Sequence, residues 1–264
     1  MDLNRAVIVT ALFDIGRDKW SAFGHSYHTY LEYMKIMLSI DCYMVIYTEQ
    51  QFVEKIIKNR QVVDPQLKKT ELKVITKEQF EIYKKFGNEI TKLMSSDDFK
   101  KQIQFHVPEM TQPWYNFVNF NKIFFIKDAC FNSNRFPKRN LYIWKDAGVY
   151  RSEKHLYHKR IWPDMKKVDM SKITFFVRST NDDIQDIKQH LLSQDRKIQG
   201  GSFLVPSHYI EYFADEFEKQ IKKALNLGVI GSDEKIMDLI YNNNPEFCNK
   251  LECEWRQYWK FFKY

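Results

Sequence analysis

Short runs of consecutive apolar residues alternate along the chain with stretches in which apolar residues recur every three or four positions. The runs predict buried β-strands that are covered on both faces, because they lack the alternation of apolar and polar residues that marks a half-exposed strand. Strands are expected over residues 6–13, 43–48, 72–76, 141–144, 173–177 and 202–205. The helical spacing predicts helices over residues 21–38, 50–59, 80–94, 114–129, 209–227 and 233–242.

The order of these elements predicts the fold class. Strands that alternate with helices indicate an α/β sandwich of Rossmann-like type, in which helices flank a mostly parallel central sheet. No linker-like stretch interrupts the pattern, so residues 1–264 are expected to form a single domain. Ligands of such sheets bind at the carboxyl ends of the strands. The residues that follow the strands are therefore the candidates for function.

Composition and charge narrow the choice of compartment and ligand. The 264 residues include 41 Lys and Arg against 34 Asp and Glu, and the formal charge of +7 suits an anionic nucleotide, nucleic acid or membrane surface. The four cysteines form no CxxC pair, which is typical of reduced and mostly buried thiols. No run of 18 apolar residues is present, and the first residues lack the pattern of a signal peptide. The cytoplasm is the expected compartment.

The first candidate site follows the first predicted strand. Residues 10–17 pass from the strand through small side chains to Arg17. Small residues such as Ala11 let a flat base or ribose approach the backbone, and Arg17 can clamp a phosphate with two hydrogen bonds. A turn with a solvated arginine is the structural alternative. Neither GxGxxG nor GxxxxGK[ST] occurs, so Rossmann dinucleotide and P-loop sites are not indicated.

Three further segments carry candidate chemistry. Asp146 ends a buried strand and can bind a divalent cation that holds a diphosphate, while Gly148 leaves room for that diphosphate or a sugar. Gly200 and Gly201 would allow a ligand to approach the backbone closely. A bulge or tight bend in the strand is the structural alternative. Residues 233–234 supply two carboxylates at a helix start, for use as base or metal ligand, although acids there also offset the helix dipole.

Two segments rich in basic residues complete the candidates. Residues 154–160 combine two histidines with lysine and arginine, as a phosphate-binding loop or a solvated loop would. Residues 255–264 interleave aromatic and basic residues, which suits either peripheral contact with a membrane or docking back onto the core over the site.

Taken together, these segments resemble the HtrL/YibB family, whose members look like nucleotide-sugar glycosyltransferases of the GT-A fold. The resemblance extends over most of the chain. It rests on residues 9–20, 44–49, 121–122, 134–136, 144–148, 200–203 and 233–234. The order and spacing of these segments are specific in combination, although each one alone is a weak signal.

The resemblance implies transfer of a sugar from a nucleotide diphosphate sugar, with UDP-sugars favoured, to a hydroxyl of a glycan or other acceptor. It implies a donor site formed by Thr10, Ala11, Phe13, Arg17, Lys122, Asp146, Gly148, Gly200 and Gly201. Asp233 or Glu234 would serve as the catalytic base. Asp146 would stand where such enzymes keep a metal-binding DxD motif and would hold Mn²⁺ or Mg²⁺.

The sequence departs from the DxD pattern, because Asp146 is the single acid of its segment. The neighbouring Lys145 either points away from the site, since strand neighbours alternate faces, or replaces part of the charge of the metal. The missing acid keeps a second class open, a catalytically inactive glycosyltransferase-like protein that binds a nucleotide or glycan. A nucleic-acid partner is not expected, because no RNP, KH, helix-turn-helix or zinc signature accompanies the positive charge.

Overall fold

In the part of the chain that the structure describes, seven strands build a central sheet. The computed structural model describes residues 6–152, 163, 165–179, 184–195, 197–254 and 257–262. Within these residues the strands are β1 Val7–Leu12, β2 Tyr43–Thr48, β3 Thr70–Val74, β4 Leu141–Lys145, β5 Ile173–Val177, β6 Ile198–Pro206 and β7 Cys248–Glu252. Their order across the sheet is β3-β2-β1-β4-β6-β5-β7.

The sheet is mostly parallel. Strand β1 runs parallel to both β2 and β4, β2 runs parallel to β3, and β5 runs parallel to β7. Strand β6 is antiparallel to both of its neighbours. The predicted α/β fold is therefore confirmed. Because β1 to β4 run in the same direction, their carboxyl ends meet at one edge of the sheet.

Helices cover both faces of the sheet. They are α1 Tyr27–Leu38, α2 Val53–Arg60, α3 Glu81–Ser95, α4 Asp97–Gln102, α5 Pro108–Thr111, α6 Pro113–Phe120, α7 Lys122–Phe131, α8 Ile187–Leu192, α9 Ile210–Asn226 and α10 Asp233–Asn243. Short 3₁₀ turns lie at Arg17–Lys19, Gln50–Phe52, Lys77–Gln79, Met165–Lys167, Ser207–Tyr209 and Gln257–Lys260.

Strand alternation divides the core into two layers. On one face, Val9 and Trp144 pack with the buried residues of α3, α6, α7, α9 and α10. On the other face, Ile8 and Ile143 pack with α1 and α2. Adjacent residues of one strand therefore reach opposite layers, which decides where Trp144 and Lys145 point.

The strand predictions differ from the structure at the far edge of the sheet. Strand β6 begins at Ile198 rather than at residue 202, so both predicted glycines lie within it. Strand β7 was not predicted, because Cys248–Glu252 is largely polar and only its first residue is buried. This pattern is typical of an edge strand, which needs no continuous apolar run.

Two helix predictions also differ. The helix expected from residue 21 begins at Tyr27, where the Ser26 hydroxyl caps it by accepting the Thr29 N–H at 3.2 Å. The single helix expected over 114–129 is divided at Asn121 into α6 and α7. The division makes Lys122 the first residue of α7. The Ser232 side chain caps α10, and α9 is followed by Gly228, whose φ is +67°.

The described part of the C-terminal segment docks onto the core, but not over the candidate site. Phe262 is buried and lies 5.8 Å, between ring centroids, from Phe176 in the layer of α1 and α2. The expectation that this segment covers the site is therefore not met by its described residues. The cysteine prediction is confirmed, since all four thiols are free and Cys42, Cys130 and Cys248 are buried.

Candidate functional site

A cleft of about 410 Å³ opens where the carboxyl ends of β1 and β4 meet the first turns of α7 and α10. Helices α1, α5 and α6 form its other walls. The cleft brings together residues that are far apart in the sequence. Of the predicted site residues, its lining includes Ala11, Phe13, Arg17, Lys122, Asp146, Gly148, Gly201, Asp233 and Glu234.

The ammonium of Lys122 lies among three oxygen atoms at the floor of the cleft. It is 2.8 Å from Asp233 Oδ2, 3.1 Å from Asp146 Oδ1 and 3.1 Å from the carbonyl oxygen of Gly200. Lys122 is only 3% exposed. Burial disfavours its charge, but the two carboxylates outweigh burial and raise the pKa of Lys122 above its ordinary value. The ammonium is therefore a fixed positive charge that joins α7, β4, β6 and α10.

Asp146 is held in place by its own strand. Its Oδ1 accepts a hydrogen bond of 2.7 Å from the indole N–H of Trp144, two residues earlier. Its backbone N–H donates to the carbonyl of Gly201 at 3.0 Å, which extends the pairing of β4 with β6 by one residue. The Asp146 side chain is 42% exposed and faces the cleft. Asp146 is thus positioned to contact both Lys122 and a ligand.

The two acids at the start of α10 differ in their surroundings. Asp233 is 4% exposed, and one of its oxygens contacts Lys122. Glu234 is half-buried, and its Oε1 accepts the Gly200 N–H at 2.9 Å. A Cβ atom on Gly200 would lie 2.7 Å from Asp233 Oδ2, so only glycine lets β6 approach α10 this closely.

A tight turn after β1 brings Arg17 into the cleft. The Asp14 carboxylate accepts the Gly16 N–H at 2.8 Å, and the Tyr27 hydroxyl accepts the N–H groups of Ile15 and Arg17 at 2.8 and 3.1 Å. Gly16 has a φ of +74°, which glycine adopts without steric cost. The turn therefore depends on that glycine and on α1, which supplies Tyr27.

Aromatic rings surround the guanidinium of Arg17. It lies 5.6 Å from the ring centroid of Trp20, 5.4 Å from that of Tyr30 and 5.7 Å from that of Tyr115. Its Nε donates to the carbonyl of Phe23 at 3.0 Å. Such contacts hold the plane of the guanidinium while leaving its terminal N–H groups for an anion.

Arg151 is a cleft residue to which the sequence analysis assigned no role. Its Nε donates to the carbonyl of Gly148 at 2.9 Å, and its guanidinium lies 4.2 Å from the ring centroid of Tyr33. A Cβ atom on Gly148 would lie 3.0 Å from the Tyr30 ring and 3.9 Å from Arg151 Nη2. Gly148 therefore lies close to both Tyr30 and Arg151. The position of Arg151 three residues after Gly148, just beyond β4, is the sequence signal that could have indicated its place in the cleft.

Two predicted donor residues, Thr10 and Gly200, do not line the cleft, whereas Lys145 takes one of its two expected orientations. Thr10 is 0% exposed within β1 and does not line the cleft, so direct donor contact by its side chain is not supported. Gly200 lies behind Asp233 rather than on the surface of the cleft, and its neighbour Gly201 lines the cleft instead. Lys145 points to the opposite face of the sheet, where its Nζ is 4.1 Å from the ring centroid of Phe262. The basic segment 154–160 lies outside the described residues.

The surroundings of Asp146 test whether a divalent metal fits there. Mg²⁺ requires close to octahedral coordination by oxygen atoms. Asp146 Oδ1 already contacts Trp144 and Lys122, and the convergence point of the Asp233, Asp146 and Gly200 oxygens holds the ammonium. Across the described segments, no group of three or more His, Cys, Asp or Glu side chains is arranged to hold a metal ion. The residues present do not fit a divalent cation at this point.

The sheet and cleft define an α/β protein with its candidate site at the carboxyl ends of parallel strands. Residues 4–264 match the family described as "Bacterial protein of unknown function (HtrL_YibB)", and the chain therefore belongs to the HtrL/YibB family. It is 25% identical over 261 residues to Protein HtrL of Escherichia coli (strain K12), covering 92% of this chain and 86% of that protein.

One solved structure with a similar arrangement is the crystal structure of 4-diphosphocytidyl-2C-methyl-D-erythritolsynthase from Anaerococcus prevotii DSM 20548. The TM-score is 0.44 and the identity 9%, with 97% of this chain and 90% of that chain covered. A TM-score this low carries no argument about function. Separately, no helix formed by the described residues is long and apolar enough to cross a bilayer.

Proposed function

We propose that this protein is a glycosyltransferase that moves a sugar from a nucleotide diphosphate sugar, with UDP-sugars favoured, to a hydroxyl of a glycan or other acceptor. Residues 1–264 would act as one nucleotide-sugar-binding domain. The observation that carries the proposal is the cleft, in which Arg17, Lys122, Asp146 and Glu234 meet at the carboxyl ends of β1 and β4. Open α/β sheets bind their ligands at this edge.

The donor half of the reaction uses the cationic residues. The bond between the anomeric carbon and the diphosphate oxygen breaks, and its electron pair stays on the diphosphate. Fixed positive charge near that oxygen lowers the barrier, because it needs no reorganisation as the negative charge grows. Arg17 supports this role, since aromatic contacts hold it at the mouth of the cleft.

The acceptor half of the reaction needs a base. As the new bond from the acceptor oxygen to the anomeric carbon forms, the hydroxyl proton passes to a carboxylate. Both acids line the cleft, but Glu234 suits this role better because it is half-buried, whereas Asp233 is only 4% exposed. Asp233 contacts the Lys122 ammonium at 2.8 Å, so its carboxylate serves as an anchor for that lysine.

The proposal is tested by the release of nucleoside diphosphate from UDP-, GDP- and CMP-type donors, with and without glycan acceptors. Asp146→Ala is expected to lower kcat/KM about tenfold or more, because it loses contact with both ligand and Lys122. Asp169→Ala is the matched control, since Asp169 is exposed and lies outside the cleft. Normal turnover by Asp146→Ala would exclude the assigned role of Asp146.

A second candidate is a catalytically inactive relative that binds a nucleotide or glycan. It is favoured by one observation, the engagement of both Asp146 and Asp233 by a single ammonium. Binding of a nucleotide in the cleft, without product formation from any donor and acceptor pair, would support this candidate and exclude the enzyme.

A further inference from the structure

Apart from Glu109, which lines the cleft from α5, the arginines and the acids of the cleft lie on two different sides. Arg17 and Arg151 lie on the side of α1, where Arg17 lies near Tyr30 and Arg151 near Tyr33. Asp233 and Glu234 lie on the side of α10, and Lys122 is placed among the carboxylates there. A ligand with a diphosphate at one end therefore meets positive charge at one side and an acidic surface at the other.

The cationic side has the geometry of an anion clamp. The Nε of Arg17 donates to Phe23 and the Nε of Arg151 donates to Gly148, both through backbone carbonyls. Both guanidinium groups also rest on aromatic rings. These contacts use the Nε of each arginine and hold both side chains in the lining of the cleft. Paired guanidinium groups bind phosphate oxygens through strong, charge-assisted hydrogen bonds.

The acidic side already contains its own cation. Asp233 Oδ2, Asp146 Oδ1 and the Gly200 carbonyl converge on Lys122 Nζ at 2.8 to 3.1 Å. Two carboxylates and a carbonyl form a set of ligands that a metal ion would otherwise take. A divalent ion could occupy this convergence point only if the buried ammonium left, and this would separate Lys122 from both of its carboxylates.

We infer that the cleft binds the diphosphate of its donor through Arg17 and Arg151 without a divalent cation, and that the Lys122 ammonium occupies the cation position between Asp146 and Asp233. This inference rests on the proposed function, for which it identifies the charge that receives the leaving group. When the anomeric carbon–oxygen bond breaks, the electron pair on the diphosphate is stabilised by the two guanidinium groups. The acceptor proton moves to Glu234 on the opposite side.

The first test uses the wild-type protein and needs no turnover. Binding of UDP and GDP is measured by calorimetry and thermal unfolding, in EDTA and in Mn²⁺ or Mg²⁺. We expect equal affinity in both conditions and no shift in Tm from the metal alone. Binding that is lost in EDTA, or a Tm shift with metal that Asp146→Asn abolishes, would overturn the inference.

The second test removes each arginine. Arg151→Ala is expected to weaken UDP binding about tenfold, with partial recovery in Arg151→Lys, which keeps the charge but not the fork of donors. Arg135→Ala is the matched control, because the Nε of Arg135 also donates to a backbone carbonyl, that of Thr70, outside the cleft. Equal UDP affinity in Arg151→Ala and wild type would overturn the clamp.

The third test converts the site. Lys122→Ala removes the ammonium and leaves the oxygen set without a cation, so Mn²⁺ is expected to raise the Tm of this variant although it does not shift wild type. Lys250→Ala, which removes a buried lysine paired with Asp238 at 3.3 Å, should show no such response to metal. If Lys122→Ala folds and gains no response, the cation position is wrongly assigned.

Failure of this inference can be distinguished from failure of the proposed function. If nucleotides bind and donors turn over only with metal, the glycosyltransferase proposal stands and the inference falls. If no nucleotide binds in either condition, both fall, because the cleft then has no diphosphate ligand. The wild-type measurements decide between these results even where a variant fails to fold.

Discussion

Two lysines buried on opposite faces of the sheet have opposite electrostatic surroundings. Lys122 is 3% exposed on the side of the cleft and contacts two carboxylates, which raise its pKa. Lys145 is 0% exposed on the other face, among the Ser202 hydroxyl and the rings of Tyr150 and Phe262. There burial lowers the pKa of Lys145 to about 7.

The difference shows that burial alone does not decide the charge of a lysine. Removing an ammonium from water costs several kcal/mol, and that cost is offset only when anions replace the lost hydration. At Lys122 two carboxylates replace it, so the charge is permanent and available to organise the cleft. At Lys145 aromatic rings replace it less completely, so the group titrates near neutral pH.

The largest effect is expected when the Lys122 charge is removed. Lys122→Met keeps most of the side-chain volume but leaves Asp146 and Asp233 without their counterion. We expect a loss of about 3–5 kcal/mol in the free energy of unfolding, measured with denaturant. The variant Asp233→Asn should recover part of this loss when combined with it, with a coupling energy of about 1–3 kcal/mol.

The pair of Lys250 and Asp238 provides the control for this cycle, because both side chains are buried and lie outside the cleft. Lys250→Met should also destabilise the fold, but it should leave nucleotide binding unchanged. If Lys122→Met and Asp233→Asn show independent effects, the two groups do not interact as the 2.8 Å contact indicates.

Lys145→Met is expected not to destabilise the fold near neutral pH, in contrast to Lys122→Met. The folded-state pKa of about 7 lies below the ordinary value of 10.5, so between these limits the unfolded chain binds more protons than the folded one. Wild-type stability should therefore rise with pH from about 7 to about 10, by a few kcal/mol at most. Lys145→Met should lose this rise and be at least as stable as wild type at pH 7.

The measurement is denaturant unfolding across that pH range in both proteins. Lys235, whose pKa burial lowers to about 8, contributes a smaller rise over the same range, so the difference between the two proteins is the quantity of interest. Burial lowers the pKa of His190 to about 4, so His190 changes the pH dependence of stability only below about pH 6.5, outside the measured range. Identical pH profiles for wild type and Lys145→Met would mean that Lys145 is not buried as a weakened base.

The same two lysines show which features of the site could be predicted from the sequence. Strand alternation already offered the correct orientation of Lys145 as one of two alternatives, because it depends only on local geometry. The role of Lys122 depends on the break at Asn121, which interrupts a stretch of continuous helical spacing. The sequence linked Lys122 with Asp146 through a family resemblance, but it could not predict that the Lys122 ammonium would also contact Asp233, which lies 111 residues further along the chain.

The fold could be predicted from the sequence more completely than the site, for a physical reason. A strand covered on both faces needs a continuous apolar run, so β1 and β4 were visible in the sequence. Side chains of the cleft obey no such periodicity. Arg151 belongs to a loop whose position is set by the Gly148 carbonyl and two tyrosine rings, and these contacts exist only after the chain has folded.

The smallest effect is expected at Trp144, the strand neighbour of Lys145 that faces the Lys122 side. Trp144→Phe keeps an aromatic ring beneath the Lys122 ammonium, which lies 5.9 Å from the indole centroid, but it removes the N–H that donates to Asp146 at 2.7 Å. Because the Asp146 side chain is 42% exposed, we expect this hydrogen bond to contribute only about 1 kcal/mol, in addition to the packing that the smaller Phe ring loses in the core. Combining Trp144→Phe with Asp146→Ala in a double-mutant cycle isolates that hydrogen bond.

The stability of Trp144→Phe between pH 7 and 10 should follow the same profile as that of wild type, because Lys145 lies on the other face of the sheet. An altered profile would show that the two faces are coupled through β4.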